Sequence, residues 1–367
     1  MKGSRSGEPS RRIANLQALR GVAVMMVVLF HCAATERKYA VDTILPAWLR
    51  IGESGVDLFF VVSGFVMVMV TRGKFGGARE AGWFLYSRAT RIYPVYWVYA
   101  GLAAAVYLVQ PTWVNASQGH QVDLLRSFLL VPQEQLPVLL VAWSLVHEMY
   151  FYLLFALFML APENRLPRLL IGWAAIILIS ALTWWHPAVT PWARIAAHPL
   201  TLEFIAGAFA AWWLPKTSGS PSPARLWGGV AISLISLVAA YDRGVLDMPA
   251  LPRAVVMALI YGALVYCAVA LEQRCAQRAH GWLVHLGDAS YTIYLSHVLA
   301  LAAVGRMWLR AGVSPGPWDN LMWAAMMLVA VVGYGHLGYR WIEKPLVDYF
   351  HRLRRQLRDV NRGAASA

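Results

Sequence analysis

Residues Asn15–His31 read NLQALRGVAVMMVVLFH. This is an apolar run long enough for a helix of about five turns, and it carries one fixed cation, Arg20, and one titratable ring, His31. The two are eleven residues apart, close to three turns, so both project from nearly the same face. At 1.5 Å per residue they stand roughly 16 Å apart along the axis, about half the thickness of a bilayer's hydrocarbon core. Ionisable groups turned toward lipid are costly, so a helix face bearing two of them predicts a polar cavity beside it.

The rest of the chain has the same character. Of 367 residues, 59% are hydrophobic and 14% charged, and the mean hydropathy is +0.51. A soluble domain would carry about a quarter charged residues. The expected fold class is therefore all-α, a polytopic membrane bundle of about ten transmembrane helices. Candidate spans lie near 13–33, 54–71, 92–110, 137–160, 168–185, 198–214, 227–241, 253–271, 286–305 and 319–340. Each has about the length needed to cross. Residues 122–132 are too few to cross and read as an interfacial helix. The first apolar segment lacks a small-residue cleavage pattern and reads as a retained span rather than a signal peptide. Lys216–Pro223, KTSGSPSP, reads as a flexible loop.

The net charge of +13 is explained by topology. With both termini placed in the cytoplasm, the inner segments hold 22 Lys and Arg, or 23 with Arg20, and the outer segments nine. That bias follows the positive-inside rule, and the basic excess predicts contact with anionic membrane lipids and no nucleic acid. The expected layout is a cytoplasmic N-terminal tail at 1–12, a membrane domain at 13–345 and a basic cytoplasmic C-terminal tail at 346–367. Three cysteines give no disulfide framework and no metal-ligand spacing, so no metal is expected. Cys32 adjoins His31, but neighbouring helical residues point about 100° apart, which argues against a Cys–His pair.

Several other segments carry chemistry. Asp57, in GVDLFFVVSGF, falls at the depth of His31. It serves either to orient that imidazole by a hydrogen bond or to cap a helix whose first turn begins there. Ser63 and Gly64 suit close helix packing. Arg88 and Arg91, in SRATRIYP, share one helical face and offer either a bidentate phosphate clamp or ordinary snorkelling to the interface. Tyr93 follows them. Trp143 opens WSLVHEMYFYL, where Glu148 follows His147 deep in an apolar helix. A second membrane carboxylate, Glu203, lies in the sixth span. For both acids the choice is between chemistry and an interhelical hydrogen bond. LGDASYTIYLSH brings Tyr291 and Tyr294 to a similar face below His297, a packing residue or a site residue. Trp341-Ile342-Glu343-Lys344-Pro345 reads as an interfacial anchor with a helix-ending proline.

Taken together, LQALRG with a His eleven residues after the Arg, GVDLFFVVSGF, SRATRIYPVYW, WSLVHEMYFYL, LGDASYTIYLSH and WIEKP resemble acyltransferase family 3. These are integral-membrane O-acyltransferases, and the likeness is greatest to bacterial members that acetylate exopolysaccharide. The resemblance implies an acyl-CoA co-substrate and transfer to a hydroxyl, with succinyl standing second to acetyl as the acyl group. 

The acyl group it implies is acetyl. By the same resemblance His31 is the catalytic histidine and general base, Arg20 is its partner on the same helix, and Arg88 and Arg91 are the paired arginines of the family's R-x-x-R motif. Glu148 falls where members keep an acid, with His147 in place of the expected acid or small residue before it. Asp57 and Glu148 are the candidate orienters of His31, and Arg20, Arg88, Arg91 and Tyr93 the candidate donor-binding residues. Trp143, Glu203, Tyr294 and His297 are the candidates for binding acceptor. The expected acceptor is a glycan or a lipid-linked oligosaccharide, the expected location the bacterial inner membrane, and the expected partners polysaccharide-assembly proteins. A glycan transporter or flippase is the alternative, since buried Arg, Glu and His also mark transport pathways.

Overall fold

The computed structural model describes residues 13–114, 119–183, 190–216 and 222–366, with side chains as far as residue 357. The expected tail at 1–12 and most of the Lys216–Pro223 loop lie outside the described residues. In hydrocarbon every backbone N–H and C=O must be paired within the segment, which leaves helices as the form such apolar runs adopt. Fourteen helices follow among the described residues. They are α1 (Ala14–Tyr39), α2 (Gly55–Thr71), α3 (Ala78–Val109), α4 (Leu124–Leu129), α5 (Trp143–Phe158), α6 (Leu166–Thr183) and α7 (Pro191–Ala196). They continue with α8 (Thr201–Trp213), α9 (Pro223–Asp242), α10 (Ala250–Cys275), α11 (Gly281–Asp288), α12 (Ser290–Ala311), α13 (Pro317–Gly338) and α14 (Lys344–Ser366). Ten helical segments are long and apolar enough to cross a membrane, and the described residues include no strand. The protein is an all-α membrane bundle.

Three glycine contacts set its tightest seams. A Cβ on Gly64 of α2 would lie 1.9 Å from the Phe204 carbonyl oxygen, and one on Gly207 of α8 would lie 1.9 Å from that of Val61. Backbone therefore touches backbone where α2 crosses α8, the close packing that Gly64 predicted. Gly287 of α11 meets α1 in the same way, 1.8 Å from the Gln17 carbonyl oxygen. That contact fixes α1 one turn before Arg20.

Three expectations about element boundaries are corrected. The third helix does not begin near residue 92, because α3 starts at Ala78 and runs on through Pro94. Thr90 Oγ donates to the Tyr86 carbonyl at 2.8 Å one turn before that proline. The ninth span breaks at Ala289, between α11 and α12, in place of one helix over 286–305. Pro345 does not end the last helix. A π-helical turn at Tyr339–Glu343 precedes it, and the Lys344 N–H reaches back to the Tyr339 carbonyl. The helical run then continues through Pro345 into α14 without a break.

Candidate active site

Three adjoining cavities follow the face of α1 that carries Arg20 and His31. The first, a mouth of about 250 Å³, is lined by Arg20, Arg91, Asp288, Glu343 and Lys344 among others. It shares Arg20 and Arg91 with an arginine chamber of about 110 Å³, which adds Arg88, Ser63, Glu148, Tyr152 and Tyr291. That chamber shares Val56 and Tyr294 with a histidine chamber of about 500 Å³, lined by His31, Glu53, Asp57, Trp143, His198 and Arg253. Val56 and Tyr294 thus form the neck between them. The Tyr294 hydroxyl is fixed there by Ser144 Oγ at 2.7 Å and the Val141 carbonyl at 3.1 Å.

The arginine chamber gathers three guanidiniums from two helices. Arg20 comes from α1, and Arg88 and Arg91 come from one face of α3. Glu148 of α5 faces the same space, accepting from Ser63 Oγ at 2.8 Å and from the Tyr152 hydroxyl. Arg91 also lies 4.0 Å from Glu343. Glu343 is buried and accepts from the Thr292 main-chain N–H at 3.2 Å. The described cations outnumber the carboxylates facing this chamber, so an anion entering it meets net positive charge and bidentate donors.

The histidine chamber is ordered by a different ion pair. Arg253, at the start of α10, donates to Glu53 at 2.5 Å and to Asp57 at 3.1 Å. Asp57 is buried, with Glu203 of α8, itself fully buried, beside it. The hydrogen bond that Asp57 would accept from His31 to orient it is not formed, since a guanidinium that bridges two carboxylates is the stronger partner. Outside the spans, the Arg50 guanidinium holds the Asp247 carboxyl below the usual carboxylate range by hydrogen bonding to it. Among the described residues no protein group hydrogen-bonds a ring nitrogen of His31, whose ring lies 5.0 Å, centroid to centroid, from that of His297. Replacing Arg253 by Met leaves Asp57 buried without its cation. That change should cost about 3–5 kcal/mol, read as a lowered melting temperature in detergent.

The sequence-predicted residues therefore divide. Arg20, Arg88, Arg91 and Glu148 line the arginine chamber, and His31, Asp57 and Trp143 the histidine chamber, with Tyr294 in both. Glu148 is thus not beside His31 and does not orient it. Its bonds go to Ser63 and Tyr152 in the other chamber. Tyr93 lines none of the three cavities. It stands two residues past Arg91, about 200° around the helix, and donates to the Leu129 carbonyl at 2.8 Å. Glu203 and His297 sit behind the chamber wall, fully buried. Arg253 and Glu343 were not singled out by the sequence. Arg253 counts there only as one of nine outer cations and Glu343 as part of an interfacial anchor, and only the fold turns either toward a cavity.

Comparison with known proteins adds the family. The family described as "Acyltransferase domain" matches residues 13–335. "Exopolysaccharide production protein ExoZ" of Rhizobium meliloti (strain 1021) is 32% identical over 341 residues, covering 87% of this chain and 94% of that protein. "Acyltransferase MdmB" of Streptomyces mycarofaciens is 27% identical over 383 residues, covering 94% of each. No solved structure matches.

Proposed function

We propose, from the premise that the chain belongs to the acyltransferase family matched above, that it moves an acetyl group from acetyl-CoA to a sugar hydroxyl of a surface polysaccharide or its lipid-linked precursor. It is an integral-membrane O-acyltransferase. We assign it to the bacterial inner membrane, with the arginine mouth facing the cytoplasm. The charge bias of the connecting segments supports that orientation, and the printed name of the exopolysaccharide relative supports the acceptor class. The observation that carries the reading is the succession of cavities leading from three arginines, past Tyr294, to His31.

In this mechanism Arg20, Arg88 and Arg91 bind the CoA phosphates, and the pantetheine arm extends through the arginine chamber toward the neck. Trp143 and the rest of the histidine chamber hold the acceptor. A ring nitrogen of His31 takes the proton of the acceptor hydroxyl as its oxygen attacks the thioester carbonyl carbon. The carbonyl reforms, the C–S bond breaks, and the sulfur leaves as thiolate and receives the proton from the His31 imidazolium. Asp57 acts indirectly, by holding Arg253 at the chamber wall.

The test is acceptor-dependent release of free CoA. Purified protein in detergent, given acetyl-CoA and lipid-linked oligosaccharide from its host, should release thiol in step with acetylated product by mass spectrometry. No release with any host glycan fraction would sink the reading. Replacing Arg88 and Arg91 together by Ala should raise KM for acetyl-CoA about tenfold to a hundredfold, the worth of one or two charge-assisted bonds. KM for acetyl-pantetheine, which lacks the phosphates, should stay unchanged.

A further inference from the structure

We infer that His297 is a positioning residue for His31, its Nε2 accepting an N–H from the imidazolium that forms when His31 takes the acceptor's proton. The inference rests on the role of His31 given above. Its ground is an unpaired atom. His297 is fully buried, and its Nδ1 lies 2.7 Å from the Tyr294 carbonyl oxygen. A carbonyl only accepts, so Nδ1 carries the hydrogen and Nε2 bears a lone pair. That Nε2 is buried with no hydrogen-bond partner. Buried acceptors are paired as a rule, so an unpaired one calls for an explanation.

Its neighbour supplies one. The His31 and His297 rings are 5.0 Å apart and tilted by 51°, so they are in van der Waals contact without a hydrogen bond. Neutral His31 has no need of that bond. Protonated His31 has a new N–H, and a small rotation of its ring brings the N–H to Nε2. Tyr294 and the start of α12 hold His297 still, because the Tyr294 hydroxyl is itself tied to Ser144 and Val141.

The other groups facing His31 leave the task to His297. Glu53, Asp57, Arg253, His198 and Tyr294 line the same chamber. Glu53 and Asp57 both receive Arg253, and Tyr294 spends its hydroxyl at the neck. His198 packs its ring against His147 at 4.6 Å. A neutral imidazole acceptor also suits the chemistry. It stabilises the imidazolium less than a carboxylate would, so the proton remains easy to return to the departing thiolate.

Three variants test this in the full-length protein. His297→Asn keeps a donor for the Tyr294 carbonyl and lacks an acceptor at the Nε2 position. His297→Gln reaches that position with its amide oxygen, and His297→Leu removes both groups. In His297→Asn and His297→Leu, kcat should fall about tenfold to a hundredfold with KM for acetyl-CoA unchanged. The acid limb of the kcat–pH profile should move to lower pH, because an unassisted imidazolium gives up its proton more readily. His297→Gln should recover most of kcat and return the limb toward wild type. A folded His297→Asn with wild-type kcat and an unmoved limb overturns the inference while leaving the base in place. A His31→Ala protein that still transfers acetyl at the wild-type rate removes the base itself, and the pair with it.

Discussion

His31→Ala should transfer acetyl about 10²–10⁴-fold more slowly than wild type, the range a positioned general base contributes. The protein should remain folded. The His31 ring faces a chamber and makes no hydrogen bond to the surrounding protein, so its removal leaves no buried partner unpaired. The decisive pair of measurements is acetylated product by mass spectrometry and melting temperature on the same preparation. A variant that is folded and still active at the wild-type rate would remove His31 from the mechanism. The substitution should lower kcat and leave KM for acetyl-CoA nearly unchanged, since the phosphates bind in the other chamber.

Gly207→Leu should break the packing of the fold. The new Cβ would lie 1.9 Å from the Val61 carbonyl oxygen, and backbone cannot yield as a flexible side chain does. Helices α2 and α8 would have to part, carrying Asp57 and Glu203 with them. Overpacking of a core costs typically ~1–3 kcal/mol, and a clash between two main chains lies at or beyond the top of that range. The expected result is loss of monodisperse protein on size exclusion after detergent extraction. Gly172→Leu is the control. Nothing lies within 4 Å of a Cβ there, so it should extract and elute as wild type does.

Much of this molecule was legible before its coordinates. The ten spans followed from hydropathy, because a bilayer leaves an apolar segment of that length little alternative to a helix. The Arg20–His31 face was legible because helical periodicity is local and exact spacing needs no tertiary information. Boundaries were less so. The amphipathic first turns of α3 look like a loop when judged by hydropathy alone, and Pro345 reads as a stop until the π-helical turn ahead of it is known. The division of the site into two chambers was not legible at all. Glu148 and Asp57 are both acids in apolar helices, and which one lies beside which arginine depends on how α2, α5 and α10 cross. Arg253 shows the limit most clearly: one cation among nine on its side by sequence, it is by structure the partner that takes Asp57 away from His31.

The neck at Val56 and Tyr294 has a consequence beyond acyl transfer. Polar space approaches it from both directions, and the same two side chains, one phenol and one isopropyl group, line both chambers here. A cell that stores energy as an ion gradient needs this spot to stay electrically tight during every turnover. The hydroxyl pinned by Ser144 and Val141 is therefore as much a plug against leakage as a surface for substrate.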